Sequence, residues 1–263
     1  MAFAGRAAIV TGAARGIGKA VALQLAAVGM DVLACARSER NDAELPGTIG
    51  ETAKAVSALG RKGIPMRVDL TDDSDNRAMV ARALEEFGRI DLLVNNAAYA
   101  AYGSLLDSPI GEFDRSFRVN ARAPYLSTQL VAPSMIEHGG GVIFNITSGA
   151  AKHPRALSPA AAAASRGMTM FPNATYGSTK AALDRCTSAL APELHKHNIA
   201  IVALNPGFTN TERTRSLALP DFDMAGSQSP ESIGTIITFI AADPMAYTGQ
   251  IIDAREFAQA HGL

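Results

Sequence analysis

The chain has 263 residues, 48% of them hydrophobic and 19% charged, with a formal net charge of −1 at pH 7. That length suits one α/β domain with a substantial core, and near-neutrality excludes binding of nucleic acid or an anionic membrane through a global positive field. Two cysteines, Cys35 and Cys186, are too few for a disulfide framework, and no Cys/His group has zinc-ligand spacing, so reduced thiols and no metal site are expected. No apolar run approaches a membrane span and the N-terminus lacks a secretory pattern, so a soluble cytoplasmic protein is the expectation.

The apolar run Ala7–Val10 reads as a buried strand, and Lys19–Val28 has apolar residues at helical spacing. Between them lies Thr11-Gly12-Ala13-Ala14-Arg15-Gly16-Ile17-Gly18. A strand, a glycine turn and a helix start make a site for a diphosphate. The glycines admit close backbone approach, and the helix start offers free N–H groups and the positive end of its dipole. A plain tight turn is the alternative.

Asp31–Ala36 is a second strand, and Thr48–Leu59 a helix ended by Gly60. Ile64–Val68 is a third strand, leading into Asp69 and Leu70. Ser74 is read as the N-cap of a helix running to Phe87 and closed by Gly88. Ile90–Asn95 is a fourth strand, and Phe113–Glu137 one long helical region stopped by Gly139-Gly140-Gly141. Val142–Ile146 is a fifth strand, Ala174–His197 a helix, and Ile199–Leu204 a sixth strand. Ser229 caps one more helix with Pro230 at its first position. Ile251-Ile252 forms a short last strand before a polar tail from Glu256 to Leu263.

Repeated strand–helix units with continuous apolar strands imply a doubly wound parallel sheet covered by helices on both faces. Ligands of such sheets bind beyond the strands' carboxyl ends. That edge gathers Gly12–Gly18, Arg37-Ser38, Asp69-Leu70, Asn95–Ala98, Thr147-Ser148 and Asn205-Pro206-Gly207.

Tyr176 and Lys180 are four residues apart near a helix start, so they share a face. A free tyrosine has a pKa near ~10, and a neighbouring ammonium lowers it by favouring the phenolate. The pair can then exchange a proton near neutrality. Ser148, just beyond the fifth strand, can hold a carbonyl oxygen or developing alkoxide.

On Thr11–Gly18, Asn95-Asn96-Ala97, Asn120, Ser148, Tyr176 with Lys180, and Asn205-Pro206-Gly207, the chain resembles the short-chain dehydrogenase/reductase family from Ala7 to about Gly249. The resemblance implies a single domain over 1–263 with a Rossmann-like fold, a cofactor half to about 147 and a catalytic and substrate half from about 148. It implies hydride exchange between a nicotinamide dinucleotide and a carbonyl or alcohol. Tyr176 would be the proton donor or acceptor, and Lys180 would lower its pKa and hold the nicotinamide ribose. Ser148 would orient the substrate oxygen, and Asn120 would anchor a proton-relay water. Around the cofactor it implies Gly12, Arg15, Gly16, Ile17 and Gly18 at the phosphates, with Asp69 and Leu70 flanking the adenine. Asn95 and Ala97 would lie beside it, Thr211 would bind the carboxamide, and Pro206, Gly207 and Thr209 would be further cofactor-binding residues.

Where relatives that prefer NAD carry an acidic residue, this chain has Ala36, then Arg37 and Ser38, with Arg15 nearby. Two guanidinium groups and a hydroxyl suit a phosphate, so NADP(H) is favoured over NAD(H); two solvated arginines are the alternative. The expected activity is an NADP-dependent reduction of a ketone or 3-oxoacyl substrate, or the reverse oxidation. An epimerase or dehydratase, or a non-catalytic dinucleotide sensor, stands as an alternative. The helices Phe113–Glu137 and Ala174–His197 would pair in a homodimer, extended or not to a tetramer.

Three departures stand out. Asn95-Asn96-Ala97-Ala98 lacks the family's glycine, and Asp253-Ala254-Arg255 replaces its usual Asp-Gly-Gly ending. The Ser148–Tyr176 gap is about twice the usual length. Its insertion, Ala150–Pro172, is expected to be a substrate lid, with basic Lys152, His153 and Arg155 followed by apolar Met168, Met170 and Phe171; packing away from the site, against a neighbouring subunit, is the alternative. Tyr99, Tyr102 and Phe208 are further candidates to line a substrate pocket.

Overall fold

Short apolar runs separated by glycine, asparagine and aspartate turns fold here into alternating strands and helices. The computed structural model describes residues 3–39, 45–100, 105–152, 174–216 and 226–263. In chain order these are β1 (Ala7–Thr11), α1 (Gly16–Ala27), β2 (Asp31–Ala36), α2 (Ile49–Ala58), β3 (Gly63–Arg67), α3 (Asp73–Phe87) and β4 (Leu92–Asn95). Then come α4 (Ile110–Phe117), a π-helical turn (Arg118–Arg122), α5 (Ala123–Glu137), β5 (Gly141–Ile146) and a 3-10 turn (Gly149–Ala151). The last group is α6 (Ala174–His195), β6 (Ile199–Asn205), α7 (Glu212–Ser216), α8 (Pro230–Ala242), a 3-10 turn (Pro244–Tyr247), β7 (Ile251–Asp253) and α9 (Ala254–His261).

The strands form one seven-stranded sheet in the order β3-β2-β1-β4-β5-β6-β7, and every pairing is parallel. Side chains alternate between the faces. Ala8, Val10, Val32 and Ala34 pack with α1, α8 and Phe257 of α9. Ile9 and Leu33 pack on the other face with α3, α5 and the end of α6. β3 pairs only with β2, so Pro65, which has no N–H to give, sits on an edge strand. The doubly wound parallel sheet is therefore as expected.

Local signals set several boundaries. Thr48 caps α2 in a reciprocal box with Glu51. Ser229 caps α8, and Pro230 opens it. Gly88 ends α3 in the left-handed conformation at φ 74°.

Other expectations need correction. The N-cap of α3 is Asp72, whose carboxylate accepts from Ser74 N at 2.8 Å, so Ser74 lies inside the helix. The helix expected over Phe113–Glu137 is broken by the π-helical turn at Arg118–Arg122. Pro124 explains the break: it has no N–H for the carbonyl of Asn120 four residues earlier. The expected polar tail is α9, capped by Asp253 and anchored by buried Phe257, which stacks on His261 at 4.0 Å between ring centroids. Five-residue α7 was not foreseen. The expected lid lies outside the described residues beyond Lys152, as do His153, Arg155, Met168, Met170, Phe171 and Tyr102.

Candidate active site

The strand order reverses between β1 and β4, and Thr11 joins the two strands there. Its hydroxyl donates to Val94 O at 3.2 Å and accepts from Asn96 N at 3.0 Å and Ala97 N at 3.1 Å. The Asn96 side chain donates to Thr11 O at 2.8 Å. This contact also explains two glycines. A Cβ on Gly18 would lie 2.3 Å from Gly12 O and 2.6 Å from Asn96 Nδ2, and one on Gly12 would lie 2.7 Å from the same Nδ2. The turn is tight against the chain itself, which brings the N-terminus of α1 to the edge. Asn96, which no local pattern in the sequence singles out, closes the turn.

Gly16 N donates to Glu212 Oε2 at 3.0 Å, and a Cβ on Gly16 would meet Thr211 Cγ2 at 3.1 Å. The turn therefore already holds an anionic oxygen at an α1 N–H, which is the chemistry a diphosphate requires. The cradle fits the cofactor expected from its glycines. Glu212 was missed, because nothing local links it to a turn nearly two hundred residues away.

The Arg15 guanidinium donates to Pro46 O at 3.0 Å and Gly47 O at 2.9 Å, which draws it to the loop after β2. Arg37 is exposed at the end of β2. The carbonyl of Ser38 accepts from Ile49 N at 3.2 Å. The Asp69 carboxylate accepts from Thr71 N at 3.0 Å and Thr71 Oγ1 at 2.8 Å. Burial pushes its pKa up, but these bonds and the charges of Arg37 and Arg115 outweigh that and leave it below the ordinary value. Leu70 packs at the margin of the core.

Asn95 ends β4 as expected, with its side chain turned inward. It donates to Asn145 Oδ1 at 2.8 Å, and Asn145 donates to Thr187 Oγ1 at 2.9 Å. This chain of bonds ties β4 to β5 and to α6. Asn120 is also occupied. Its Oδ1 accepts from Tyr99 N at 2.8 Å, while its Nδ2 donates to Tyr99 O at 2.7 Å and Thr179 Oγ1 at 3.0 Å. The side chain thus locks the loop after β4 to the second turn of α6, and any water held by Asn120 falls to its backbone carbonyl. Tyr99 itself donates to Glu112 and lies under Arg115.

Tyr176, Lys180 and Ser148 come together through a close packing. A Cβ on Gly177 would lie 2.7 Å from Ala150 O, so glycine lets α6 approach the turn that follows Ser148. Ser148 Oγ accepts from Ala150 N at 3.2 Å, which leaves the hydroxyl hydrogen to donate elsewhere. Lys180 is 2% exposed. Its Nζ donates to Ile146 O at 2.6 Å and lies 5.7 Å from the centroid of the Tyr176 ring. Burial lowers its pKa to about 8, and the charge of Asp184 opposes that fall.

Beyond β6, Asn205 donates to Asp253 Oδ2 at 2.8 Å and accepts from Gly207 N at 3.1 Å, while Gly207 turns at φ 63°. Pro206 O receives Thr209 Oγ1 at 3.2 Å and the Gln228 amide at 2.8 Å. Thr211 is held by Thr214: each backbone N donates to the other's hydroxyl, at 2.8 and 3.2 Å. The threonine expected at the carboxamide is thereby carried to the glycine turn. Among the described residues, no helix is long and apolar enough to cross a membrane. Cys35 is a buried core thiol, its pKa raised by burial, and Cys186 is half-buried.

A profile described as short chain dehydrogenase matches residues 6–175 and 165–219. The 3-oxoacyl-(acyl-carrier-protein) reductase FabG of Thermotoga maritima is 31% identical over 261 residues, spanning 96% of this chain and 97% of that protein. A solved 7α-hydroxysteroid dehydrogenase, in complex with NADH and 7-oxoglycochenodeoxycholic acid, superposes with a TM-score of 0.78 at 28% identity, covering 95% of this chain and 93% of the other. Acetoin dehydrogenase YohF from Salmonella typhimurium superposes with a TM-score of 0.74 at 28% identity, covering 95% and 94%. With the parallel sheet and the glycine turn at its switch point, these matches establish that the chain belongs to the short-chain dehydrogenase/reductase family and is an oxidoreductase that acts on carbonyl or alcohol groups.

Proposed function

We propose that this protein uses NADP(H) to interconvert a ketone or 3-oxoacyl group and a secondary alcohol, with Tyr176 as proton donor or acceptor. One observation carries the reading. Lys180 is fully buried against the Tyr176 ring with its ammonium on Ile146 O. Burying an ammonium costs several kcal/mol (on the order of the penalty for one desolvated ion), and a structural core would use an apolar residue there. A cation beside a phenol lets that phenol exchange a proton near neutrality.

Ser148 donates to the substrate oxygen, and Tyr176 gives or takes the proton at the same oxygen. Together they meet the negative charge that builds there during reduction. The backbone carbonyl of Asn120, to which Pro124 has no N–H to give, would hold a water that exchanges protons with Lys180. The nicotinamide, when bound, supplies or receives the hydride. Gly12, Gly16, Ile17 and Gly18 hold its diphosphate. Asp69 and Leu70 would flank the adenine, Ala97, Pro206 and Thr209 would lie toward the nicotinamide end, and Thr211, beside Gly16, would lie between the diphosphate and the carboxamide.

The preference for NADP(H) is supported by Ala36-Arg37-Ser38 at the end of β2, three positions that carry no carboxylate, with the next residue, Glu39, lying 3.9 Å from Arg67. Arg37 is an exposed cation there, with Arg15 drawn to the adjoining loop. Assembly as a homodimer through α5 and α6 belongs to the same reading.

The test is a panel of ketones, 3-oxoacyl thioesters and secondary alcohols offered with NADPH or NADP⁺ and followed by nicotinamide absorbance. Turnover with at least one class, lost in Tyr176→Phe, supports the reading. Turnover that survives this substitution overturns it.

A further inference from the structure

We propose that Asp184 is a positioning residue for Lys180: a half-buried carboxylate one helical turn beyond the lysine that keeps the ammonium charged against Tyr176. The inference rests on the Tyr176–Lys180 reading above.

Tyr176, Lys180 and Asp184 follow at four-residue intervals along α6 and so lie on one face. Asp184 is partly exposed, yet its Oδ1 is buried without a hydrogen-bond partner among the described residues. A carboxylate free to turn outward would place both oxygens in water; this one turns an oxygen inward. Thr147, between Ile146 and Ser148, also has a buried hydroxyl without a hydrogen bond of good geometry, and it faces the Asp184 carboxyl.

Lys180 needs a counter-charge. An ammonium carries three donors, and the acceptor found for it among the described residues is one carbonyl, Ile146 O. Burial drives it toward the neutral amine, in which state it would no longer favour the Tyr176 phenolate. Among the described residues, Asp184 is the charge that opposes this, and Lys180 is the charge that acts on Asp184. Burial raises the Asp184 pKa, while the Thr147 hydroxyl and the Lys180 ammonium pull it back. Tyr176 at the ammonium and Thr147 at the carboxyl are the further polar groups placed against the pair. Each ion of the pair keeps the other ionised.

The phenol of Tyr176 reports this without any substrate. Tyrosinate absorbance is followed against pH in the parent chain and in Asp184→Asn, each with and without Tyr176→Phe, so that the difference isolates Tyr176. In the parent, Tyr176 titrates about one unit or more below the ordinary ~10. In Asp184→Asn, Lys180 loses its proton at lower pH and the Tyr176 titration moves up by about one unit. Asp184→Glu restores the parent curve. Thr147→Val, which leaves all charges in place, moves it up by less and serves if Asp184→Asn does not fold. A merely structural role lowers the melting temperature and leaves this titration where it was. A lowered Tyr176 that neither Asp184→Asn nor Thr147→Val moves overturns the proposal and leaves the catalytic reading standing. A Tyr176 that titrates at the ordinary value in the parent overturns both.

Discussion

The glycine turn after β1 and the tyrosine–lysine cluster after β5 share one edge of the sheet and are built in opposite ways. At the glycine turn the determinant is space. Backbone and Asn96 approach Gly12 and Gly18 so closely that a methyl group has no room. At the cluster the determinant is charge and hydrogen bonding, with Lys180, Asn95, Asn145 and Thr187 all buried and held by specific partners. Substitution at the first region should damage geometry and binding together. At the second it should change chemistry while the fold persists.

Tyr176→Phe tests that contrast most strongly. The ring stays and the hydroxyl goes, so kcat should fall at least ~10²-fold, the scale of general acid–base catalysis. The Kd for NADPH, read by fluorescence titration, should hold. A parallel loss of cofactor affinity would mean that the two regions are not separable in this way.

Gly18→Ala is the converse. A Cβ 2.3 Å from Gly12 O forces the turn open. Overpacking of this kind costs about 1–3 kcal/mol, so NADPH affinity should weaken by roughly ten- to a hundredfold and the melting temperature should drop by several degrees. Unchanged melting and binding would show that the turn has slack after all.

Cofactor choice sharpens the same comparison, because it rests on charge within the region governed by space. Ala36→Asp with Arg37→Ala replaces a phosphate-binding cation by a carboxylate. Charge-assisted hydrogen bonds are worth about 1.5–3 kcal/mol, so the order of NADP(H) and NAD(H) affinities should reverse with a swing of tenfold or more. Equal affinity of the parent for both cofactors would count against the assignment.

The smallest effect concerns Glu212. Its carboxylate takes the Gly16 N–H that a phosphate oxygen would compete for, and a charge at a helix end is worth roughly 0.3–1 kcal/mol. Glu212→Gln should therefore tighten NADPH binding by about two- to fivefold by calorimetry. Weaker binding would instead make Glu212 a supporting contact.

Much of the fold was legible from local patterns. β2 spans the apolar run read for it, and α8 starts at the Ser229-Pro230 pair that signals it. The candidate site was legible as residue types at one sheet edge. Its wiring was not, because each link joins distant segments: Asn95 to Asn145, Asn120 to Tyr99 and Thr179, Gly177 to Ala150. The π-helical turn was missed because helical periodicity is nearly blind to one extra residue per turn. Pro124, four residues after Asn120, was nevertheless a visible sign of it. α9 was missed because a single buried aromatic, Phe257, makes too short an apolar stripe to read as a helix.

By itself, the amino-acid sequence determined the alternation of strands and helices, the glycine turn, and the four-residue spacing that puts Tyr176 and Lys180 on one face. These follow from local sterics and burial periodicity, which act within a few residues. Only the tertiary structure decided that Asn96 closes the glycine turn, that Glu212 reaches Gly16, and that Lys180 is buried on Ile146 O. Those contacts depend on which strands become neighbours and how closely a helix settles on the sheet, and that is set by the packing of the whole core.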